Sequence, residues 1–155
     1  MILYIVRHGE AEPRAATDAQ RSLTERGSRG VDTLWRELRS EGVELARLFS
    51  SPFVRARQTA ALVAGHYPGL VPQTLPNLTP DDSPGSVLEW LAQQSTDTPM
   101  ALVSHMPLVG LLCGLLTEGE GGRVAFMVGE VACLDLEYPA SASARLIWMR
   151  SPVDI

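Results

Sequence analysis

Short apolar runs alternate with amphipathic segments along the whole of this 155-residue chain. The apolar runs have the length of buried strands, and the amphipathic segments repeat their apolar residues at intervals of three and four, as helices do. The predicted strands are 2–6, 46–49, 73–75, 100–104, 131–137 and 144–149. The predicted helices begin near residues 24, 51, 86 and 108 and end near residues 42, 65, 94 and 116. In the second of them, Ser51 is the predicted N-cap and Pro52 the first helical residue.

This alternation of strands and helices predicts an α/β protein. We expect a three-layer α/β/α sandwich around a mixed, mostly parallel central sheet. The length suits one hydrophobic core, and no linker, repeat or low-complexity tract divides the chain. Residues 1–155 are therefore predicted to form a single domain.

Composition and charge exclude several classes of protein. The formal net charge of -5 and the pI near 5.1 argue against a nucleic-acid partner. No apolar run approaches the ~20 residues that span a bilayer, so we expect no membrane segment. The first apolar run has no basic region before it, unlike a signal peptide, and we expect a cytoplasmic protein. Cys113 and Cys133 lie in apolar runs and are predicted to be buried free thiols.

Cationic and titratable side chains stand at the carboxyl ends of three predicted strands. Arg7 and His8 follow the first strand, Arg55 lies in the helix after the second, and His105 follows the strand at 100–104. Ligands of open α/β sheets bind beyond the carboxyl ends of the strands, so we expect these side chains to converge. Helix N-termini in the same region favour anions. Together they predict a site for a phosphate-sized dianion that needs no metal.

Four segments resemble, in the same order, the signature of the histidine phosphatase superfamily, whose fold is phosphoglycerate mutase-like. They are LYIVRHGEAE, RSLTERG, SPFVRARQT and ALVSHMPLVG. Within that superfamily the chain is most similar to the SixA-type phosphohistidine phosphatases. The resemblance implies a phosphatase that needs neither a metal nor another cofactor.

The resemblance also implies roles for individual residues. His8 would be the nucleophile that takes up the phosphoryl group, and a backbone carbonyl near Gly9 would hold its other ring nitrogen. The catalytic residues would be His8, Arg7, Arg55 and His105. The phosphate-binding residues would be Arg7, Gly9, Arg21, Arg55 and His105.

One part of the superfamily pattern is missing. Many members place a Glu after the third strand to protonate an alkoxide leaving group, and Asn77, which cannot donate a proton in this way, stands there instead. Asp81 and Asp82 are nearby candidates for the acid, although we favour a solvated pair that caps the next helix. A missing acid favours phosphohistidine, because its imidazole leaving group can be protonated from solvent.

Three functions remain open at this point. The first is a phosphatase of phosphohistidine on a protein, such as a phosphotransfer domain or a phosphotransferase-system carrier. The second is a phosphomonoesterase for a small phosphorylated metabolite. The third is a non-catalytic phosphate-binding module, against which the presence of His8 argues. The short chain favours the first, because only 67–85 could cover the site, and an open site suits a protein substrate.

Overall fold

The computed structural model describes residues 1–95 and 97–154, in which six strands and four α-helices form an α/β fold. The strands are β1 (Ile2–Arg7), β2 (Arg47–Ser50), β3 (Gln73–Thr74), β4 (Met100–Ser104), β5 (Val131–Leu136) and β6 (Ala144–Arg150). The helices are α1 (Glu25–Ser40), α2 (Val54–Ala64), α3 (Pro84–Leu91) and α4 (Leu108–Thr117). Short 3-10 helices lie at Asp18–Gln20, Pro76–Leu78 and Pro152–Asp154. The predicted elements are confirmed, with shifts at several ends.

The strands form one mixed sheet in the order β3-β2-β4-β1-β5-β6. Neighbouring strands from β3 to β1 are parallel, and β5 runs antiparallel to both β1 and β6. The mostly parallel sheet of the sequence prediction is therefore confirmed. The core strands β1 and β4 lie at its centre, where both of their faces are covered.

The side chains of β1 divide between two hydrophobic clusters. Leu3 and Ile5 pack with residues of α3 and α4, whereas Tyr4 and Val6 pack with residues of α1 and α2. Successive side chains of a strand point to opposite faces of the sheet, so each helix pair covers one face. This gives the predicted three-layer α/β/α arrangement and explains why β1 is apolar or aromatic from Ile2 to Val6, before Arg7 ends it.

The three strands that precede the candidate site end at nearly the same level. Arg7 of β1 is in register with Ser104 of β4, and the N–H of His8 donates to the carbonyl of Ser104 (3.0 Å). Next to them, the N–H of Ser51 after β2 donates to the carbonyl of Val103 (2.9 Å). The residues that follow these strands therefore lie side by side at the carboxyl edge of the sheet.

Helix α2 begins later than the sequence predicts. Ser51 and Pro52 were expected to be its cap and first residue, but the helix starts at Val54 with Phe53 as its N-cap. The prediction was wrong: the N–H of Ser51 still pairs with β4, and two further residues pass before the helix begins at Val54. Its hydroxyl instead accepts a hydrogen bond from the N–H of Phe53 (3.1 Å).

The segment between α2 and α3 is attached to the sheet at Leu78. The side chain of Leu78 is fully buried, and its carbonyl accepts a hydrogen bond from the hydroxyl of Ser104 (2.7 Å). Helix α3 follows at Pro84, two residues before the predicted start, because the hydroxyl of Ser83 caps it by accepting from the N–H of Ser86 (3.1 Å).

Two expectations from composition concern the cysteines and the membrane-spanning potential of the helices. Cys113 and Cys133 are buried and unpaired with each other, as predicted. In the part of the chain that the structure describes, no helix combines the length and apolar character needed to cross a bilayer.

Gly27 allows α1 to approach the end of β1 closely. A Cβ atom at this position would lie 2.2 Å from the carbonyl oxygen of Glu10, which is backbone and cannot move aside alone. The same carbonyl accepts from the N–H of Thr24 (2.9 Å), and the hydroxyl of Thr24 caps α1 by accepting from the N–H of Gly27 (2.8 Å). The start of α1 and the residues after β1 are therefore in direct contact.

We expect Gly27→Ala to lower the free energy of unfolding by about 2 kcal/mol, because the added methyl group overpacks this contact. Gly85→Ala is the matched control, since Gly85 also lies in the first turn of a helix. A Cβ atom there would lie 3.7 Å from its nearest neighbour, the hydroxyl oxygen of Ser83. It should be neutral or stabilising by about 0.5–1 kcal/mol. Urea unfolding followed by tryptophan fluorescence measures both, and equal stability of the two variants would contradict the packing argument.

Candidate active site

His8 lies directly after β1 and is 7% exposed. Its Nδ1 atom is 2.7 Å from the carbonyl oxygen of Gly9. A carbonyl can only accept, so Nδ1 carries the ring proton and Nε2 carries the lone pair. The Nε–H of Arg55 donates towards this Nε2 atom over 3.3 Å, in agreement with that assignment. His8 therefore presents a nitrogen lone pair beside a guanidinium group.

The backbone of His8 is held from two sides. Its N–H donates to the carbonyl of Ser104, and its carbonyl accepts from the N–H of Gly129 (2.8 Å). These hydrogen bonds extend the pairing of β1 with its neighbours by one residue. The backbone that carries the His8 ring is therefore held in place at the edge of the sheet.

Thr59 connects the end of β1 to α2. Its fully buried hydroxyl accepts from the N–H of Gly9 (3.1 Å) and donates to the carbonyl of Arg55 one helical turn earlier (2.8 Å). The residue after His8 and the helix that carries Arg55 are therefore joined through a single side chain.

Arg7 brings a second guanidinium group to the same place. Its Nη1–H donates to the carbonyl of Phe126 (2.7 Å). Its Nε is buried and has no hydrogen-bond partner among the described residues. Burial lowers the pKa of Arg7 from its ordinary value, as expected for a cation removed from water.

Asp18 links Arg55 to Arg21. Arg55, which is 4% exposed, donates from Nη1 to the backbone carbonyl of Asp18 (2.6 Å) and from Nη2 to its carboxylate (3.1 Å). The other carboxylate oxygen accepts from Nη1 of Arg21 (2.8 Å), whose Nε donates to the carbonyl of Glu12 (2.7 Å). The hydrogen bonds from Arg21, and then from Arg55, lower the pKa of the Asp18 carboxyl group, so it is an anion at neutral pH.

His105 stands beside His8 and is almost fully buried. The centres of the two imidazole rings are 5.0 Å apart, and the ring of Phe53 covers His105 at 5.1 Å. The Nε2 atom of His105 lies 2.7 Å from the hydroxyl of Ser51. Its Nδ1 atom is buried without a hydrogen-bond partner among the described residues.

Both imidazole rings are held neutral. Burial, with a smaller contribution from Arg55, lowers the pKa of His8 to about 4, although the hydrogen bond to Gly9 acts in the opposite direction. Burial and the neighbouring His8 lower the pKa of His105 to about 3. A neutral ring can offer a lone pair, so the site combines an unprotonated imidazole with a concentration of arginine charge.

The structure does not bring every candidate residue into this cluster. Asp82 accepts hydrogen bonds from the N–H and hydroxyl of Thr79 (2.9 and 2.6 Å), so it closes a turn in its own loop. Asp81 is exposed. Within the described residues, neither carboxylate hydrogen-bonds to the arginine and histidine cluster. The favoured helix-capping role was also not found, since Ser83 caps α3.

Three residues of the site were not predicted from the sequence: Asp18, Ser51 and Thr59. Asp18 precedes Arg21 by three residues in a polar loop, and this spacing suggests a salt bridge across a short turn. Ser51 was assigned to a helix cap, although it follows a strand just as His8 and His105 do. Thr59 lies four residues after Arg55, on the same side of α2. In each case the sequence signal is local, whereas the distant partner in the structure is Arg55, His105 or Gly9.

Residues 1–95 and 97–154 contain no group of three or more His, Cys, Asp or Glu side chains arranged to hold a metal ion. The site instead concentrates arginine guanidinium groups, whose N–H donors suit an oxyanion.

Comparison with known proteins agrees with this geometry. The profile of the histidine phosphatase superfamily (branch 1) matches residues 3–79. The phosphohistidine phosphatase SixA of Escherichia coli is 32% identical over an alignment of 159 positions, which spans 100% of this chain and 96% of that protein. A SixA homologue of Haemophilus influenzae is 29% identical, over 99% of this chain and 98% of its own length.

A solved structure gives the same result in three dimensions. The protein histidine phosphatase SixA, in complex with tungstate, superposes with a TM-score of 0.90 and 32% identity, and the match covers 99% of each chain. The chain belongs to the histidine phosphatase superfamily. It is a SixA-type homologue and a hydrolase of phosphoryl groups.

Acidification is expected to destabilise the fold between about pH 7 and about pH 4. In the unfolded chain His8 and His105 take up protons near their ordinary pKa of about 6.5, whereas the folded rings stay neutral to about 4 and about 3. The unfolded state then binds more protons, so the free energy of unfolding falls as the pH falls. Urea midpoints across this range measure the loss. The double variant His8→Asn/His105→Asn should lose clearly less stability, and an equal loss would contradict the assignment.

Proposed function

We propose that this chain removes phosphoryl groups from phosphohistidine side chains of a partner protein, with His8 as the nucleophile. The observation that carries the proposal is the neutral His8 ring. Its Nδ1–H is held by the carbonyl of Gly9, and its Nε2 lone pair faces the guanidinium of Arg55. The name of the Escherichia coli relative supports the choice of phosphohistidine as substrate.

In the first step, Nε2 of His8 attacks phosphorus and forms a new N–P bond. The N–P bond of the substrate breaks, and its electron pair goes to the substrate imidazole, which takes a proton from water. Arg7, Arg55 and His105 would donate hydrogen bonds to the phosphoryl oxygens, with Arg21 at the edge. Stabilising charge and positioning the reactants supply most of the catalysis of phosphoryl transfer.

In the second step, water attacks phosphorus of the phosphorylated His8. The N–P bond breaks and its electron pair returns to Nε2. Inorganic phosphate leaves with the oxygen of that water as its fourth oxygen, and the protons of the water stay on phosphate or pass to solvent. The hydrogen bond from Nδ1 to Gly9 keeps the ring in one orientation through both steps. A fixed ring avoids the entropic cost of repositioning the nucleophile in each cycle.

The carboxylates near the site favour phosphohistidine over alkyl phosphates. An alkoxide leaving group needs a proton donor. Among the described residues, the carboxylate that contacts the cluster is Asp18, which its arginine partners keep ionised. The substrate imidazole needs no such acid, because solvent can protonate it. Asp81 or Asp82 would become candidate acids if alkyl phosphates proved to be good substrates.

We propose a protein partner because the polar segment at 12–18 beside the cluster is exposed rather than covered by an insertion. A phosphotransfer domain or a phosphotransferase-system carrier would present its phosphohistidine on a protein surface of this kind. We also propose that the chain is one catalytic domain and acts in the cytoplasm, where its buried thiols would stay reduced.

The test compares hydrolysis of a histidine-phosphorylated protein, an aryl phosphate and an alkyl phosphate by the purified chain in EDTA. We expect fast release from phosphohistidine and slow release from the alkyl ester. His8→Ala should reduce release to background, and Arg55→Ala should reduce it by about 10²–10³-fold, the usual effect of losing an oxyanion donor. His66→Ala is the matched control, because His66 instead bonds to Asp32 (2.8 Å).

Two results would contradict the proposal. Alkyl-ester turnover equal to that of phosphohistidine would identify a small-molecule phosphomonoesterase. Bound phosphate without turnover on any substrate, and with unchanged affinity in His8→Ala, would identify a binding module.

Asp18→Ala should weaken competitive inhibition by inorganic phosphate about tenfold. The carboxylate orients both Arg55 and Arg21, and a hydrogen bond to a charged group contributes about 1.5–3 kcal/mol. Steady-state inhibition on the aryl phosphate measures the change, with Asp82→Ala as a carboxylate control. Tighter inhibition in Asp18→Ala would instead mean that the carboxylate competes with phosphate for Arg55.

A further inference from the structure

The hydroxyl of Ser51 and the ring of His105 form a closed pair inside the protein. Ser51 is 0% exposed and His105 is 1% exposed, and the Oγ–Nε2 distance is 2.7 Å. The same hydroxyl accepts a hydrogen bond from the N–H of Phe53 (3.1 Å). Because both side chains are shielded from bulk solvent, we expect the few donors and acceptors in this pair to satisfy one another.

Counting protons leaves one arrangement in which the hydroxyl is satisfied. A serine hydroxyl has one proton and two lone pairs, and the N–H of Phe53 occupies one lone pair. If the hydroxyl donates to Nε2 of His105, its proton is used and Nε2 is the acceptor. If Nε2–H donated instead, the hydroxyl proton would need another acceptor. Among the described residues, Phe53 and His105 are the partners that this hydroxyl has.

We propose that Ser51 is a positioning residue that holds His105 in the tautomer with its proton on Nδ1. The Nδ1 atom is the buried nitrogen that has no partner among the described residues. It is then a donor without an acceptor, which a phosphoryl oxygen would supply. Its use in catalysis rests on the proposed function, whereas the tautomer itself does not.

The pair explains how two neighbouring histidines can do different things. In His8, Nδ1–H is consumed by the carbonyl of Gly9, so Nε2 offers a lone pair. In His105, Nε2 is consumed by the hydroxyl of Ser51, so Nδ1 offers a proton. The rings are 5.0 Å apart and carry their protons on the same atom, yet one presents an acceptor and the other a donor. The difference arises because the carbonyl of Gly9 gives His8 an acceptor, whereas the hydroxyl of Ser51 gives His105 a donor.

The wild-type tautomer can be measured without any activity assay. Long-range ¹H–¹⁵N correlation NMR at neutral pH distinguishes a protonated Nδ1 from a protonated Nε2, and a His105→Asn sample assigns the signals. We expect the proton of His105 on Nδ1. A proton on Nε2 would overturn the inference whatever the enzyme does.

Ser51→Ala tests whether the hydroxyl sets this state. We expect the His105 signals to change to a mixture of tautomers, and kcat on the aryl phosphate to fall at least tenfold. KM should change less, because the donor acts mainly on charge that develops in the transition state. Ser51→Thr keeps the hydroxyl and should restore both readouts. Ser104→Ala is the matched control, a buried serine next to His105 whose hydroxyl bonds instead to Leu78.

The outcomes separate this inference from the proposed function. An unchanged tautomer and rate in Ser51→Ala would overturn the role of Ser51. If Ser51→Ala does not fold, Ser51→Cys, whose thiol is a weak donor, replaces it with the same expected direction. A wild-type chain that is inactive on every substrate but shows Nδ1–H would overturn the proposed function and support the tautomer assignment.

Discussion

The parallel pairing of β1 with β4 is the constraint on which the site depends. Its register places Arg7 opposite Ser104, and one further hydrogen bond ties His8 to the same strand. His8 and His105 follow from this pairing as neighbours, because each is the first residue beyond its strand. A shift of one residue would turn every side chain of β1 to the other face, burying the wrong set. The two apolar clusters that fix the register therefore also fix the distance between the two imidazole rings.

Burial next to arginine gives the two histidines their chemical state. Removal from water lowers the pKa of both rings well below neutrality, and the guanidinium groups act in the same direction. The arginines themselves are held by carbonyl groups and by the carboxylate of Asp18. The site therefore combines neutral imidazole rings with arginine charge, which the proposed transfer of a phosphoryl dianion to an uncharged His8 would use.

The contacts of the site separate into those that fix position and those left for a ligand. Gly9, Thr59 and Asp18 engage His8 and Arg55 through hydrogen bonds that are complete within the protein. The Nε atom of Arg7 and the Nδ1 atom of His105 are buried without a partner in the described part of the chain. Buried polar groups are rarely left unsatisfied, and in the proposed function these two atoms would bind phosphoryl oxygens.

The sequence was sufficient to predict the layered fold and the main members of the site. Apolar periodicity identified β1, α1 and the central strands, because the spacing of apolar residues along the chain shows whether one or both faces of an element are buried. The rule that strand ends converge then brought Arg7, His8, Arg55 and His105 together. The sequence also predicted the hydrogen bond from His8 to the carbonyl near Gly9, and the structure shows it.

Tertiary structure decided the pairings between residues far apart in the chain. Ser51 contacts His105, Thr59 contacts Gly9, and Asp18 contacts Arg55, at separations of 54, 50 and 37 residues. No local period or cap encodes such contacts. They form because strand register and helix packing set the distances between the backbones. At those distances the short side chains of Ser51, Thr59 and Asp18 reach their partners. The sequence determined which groups stand at the sheet edge, and the packing determined which partner each histidine nitrogen meets.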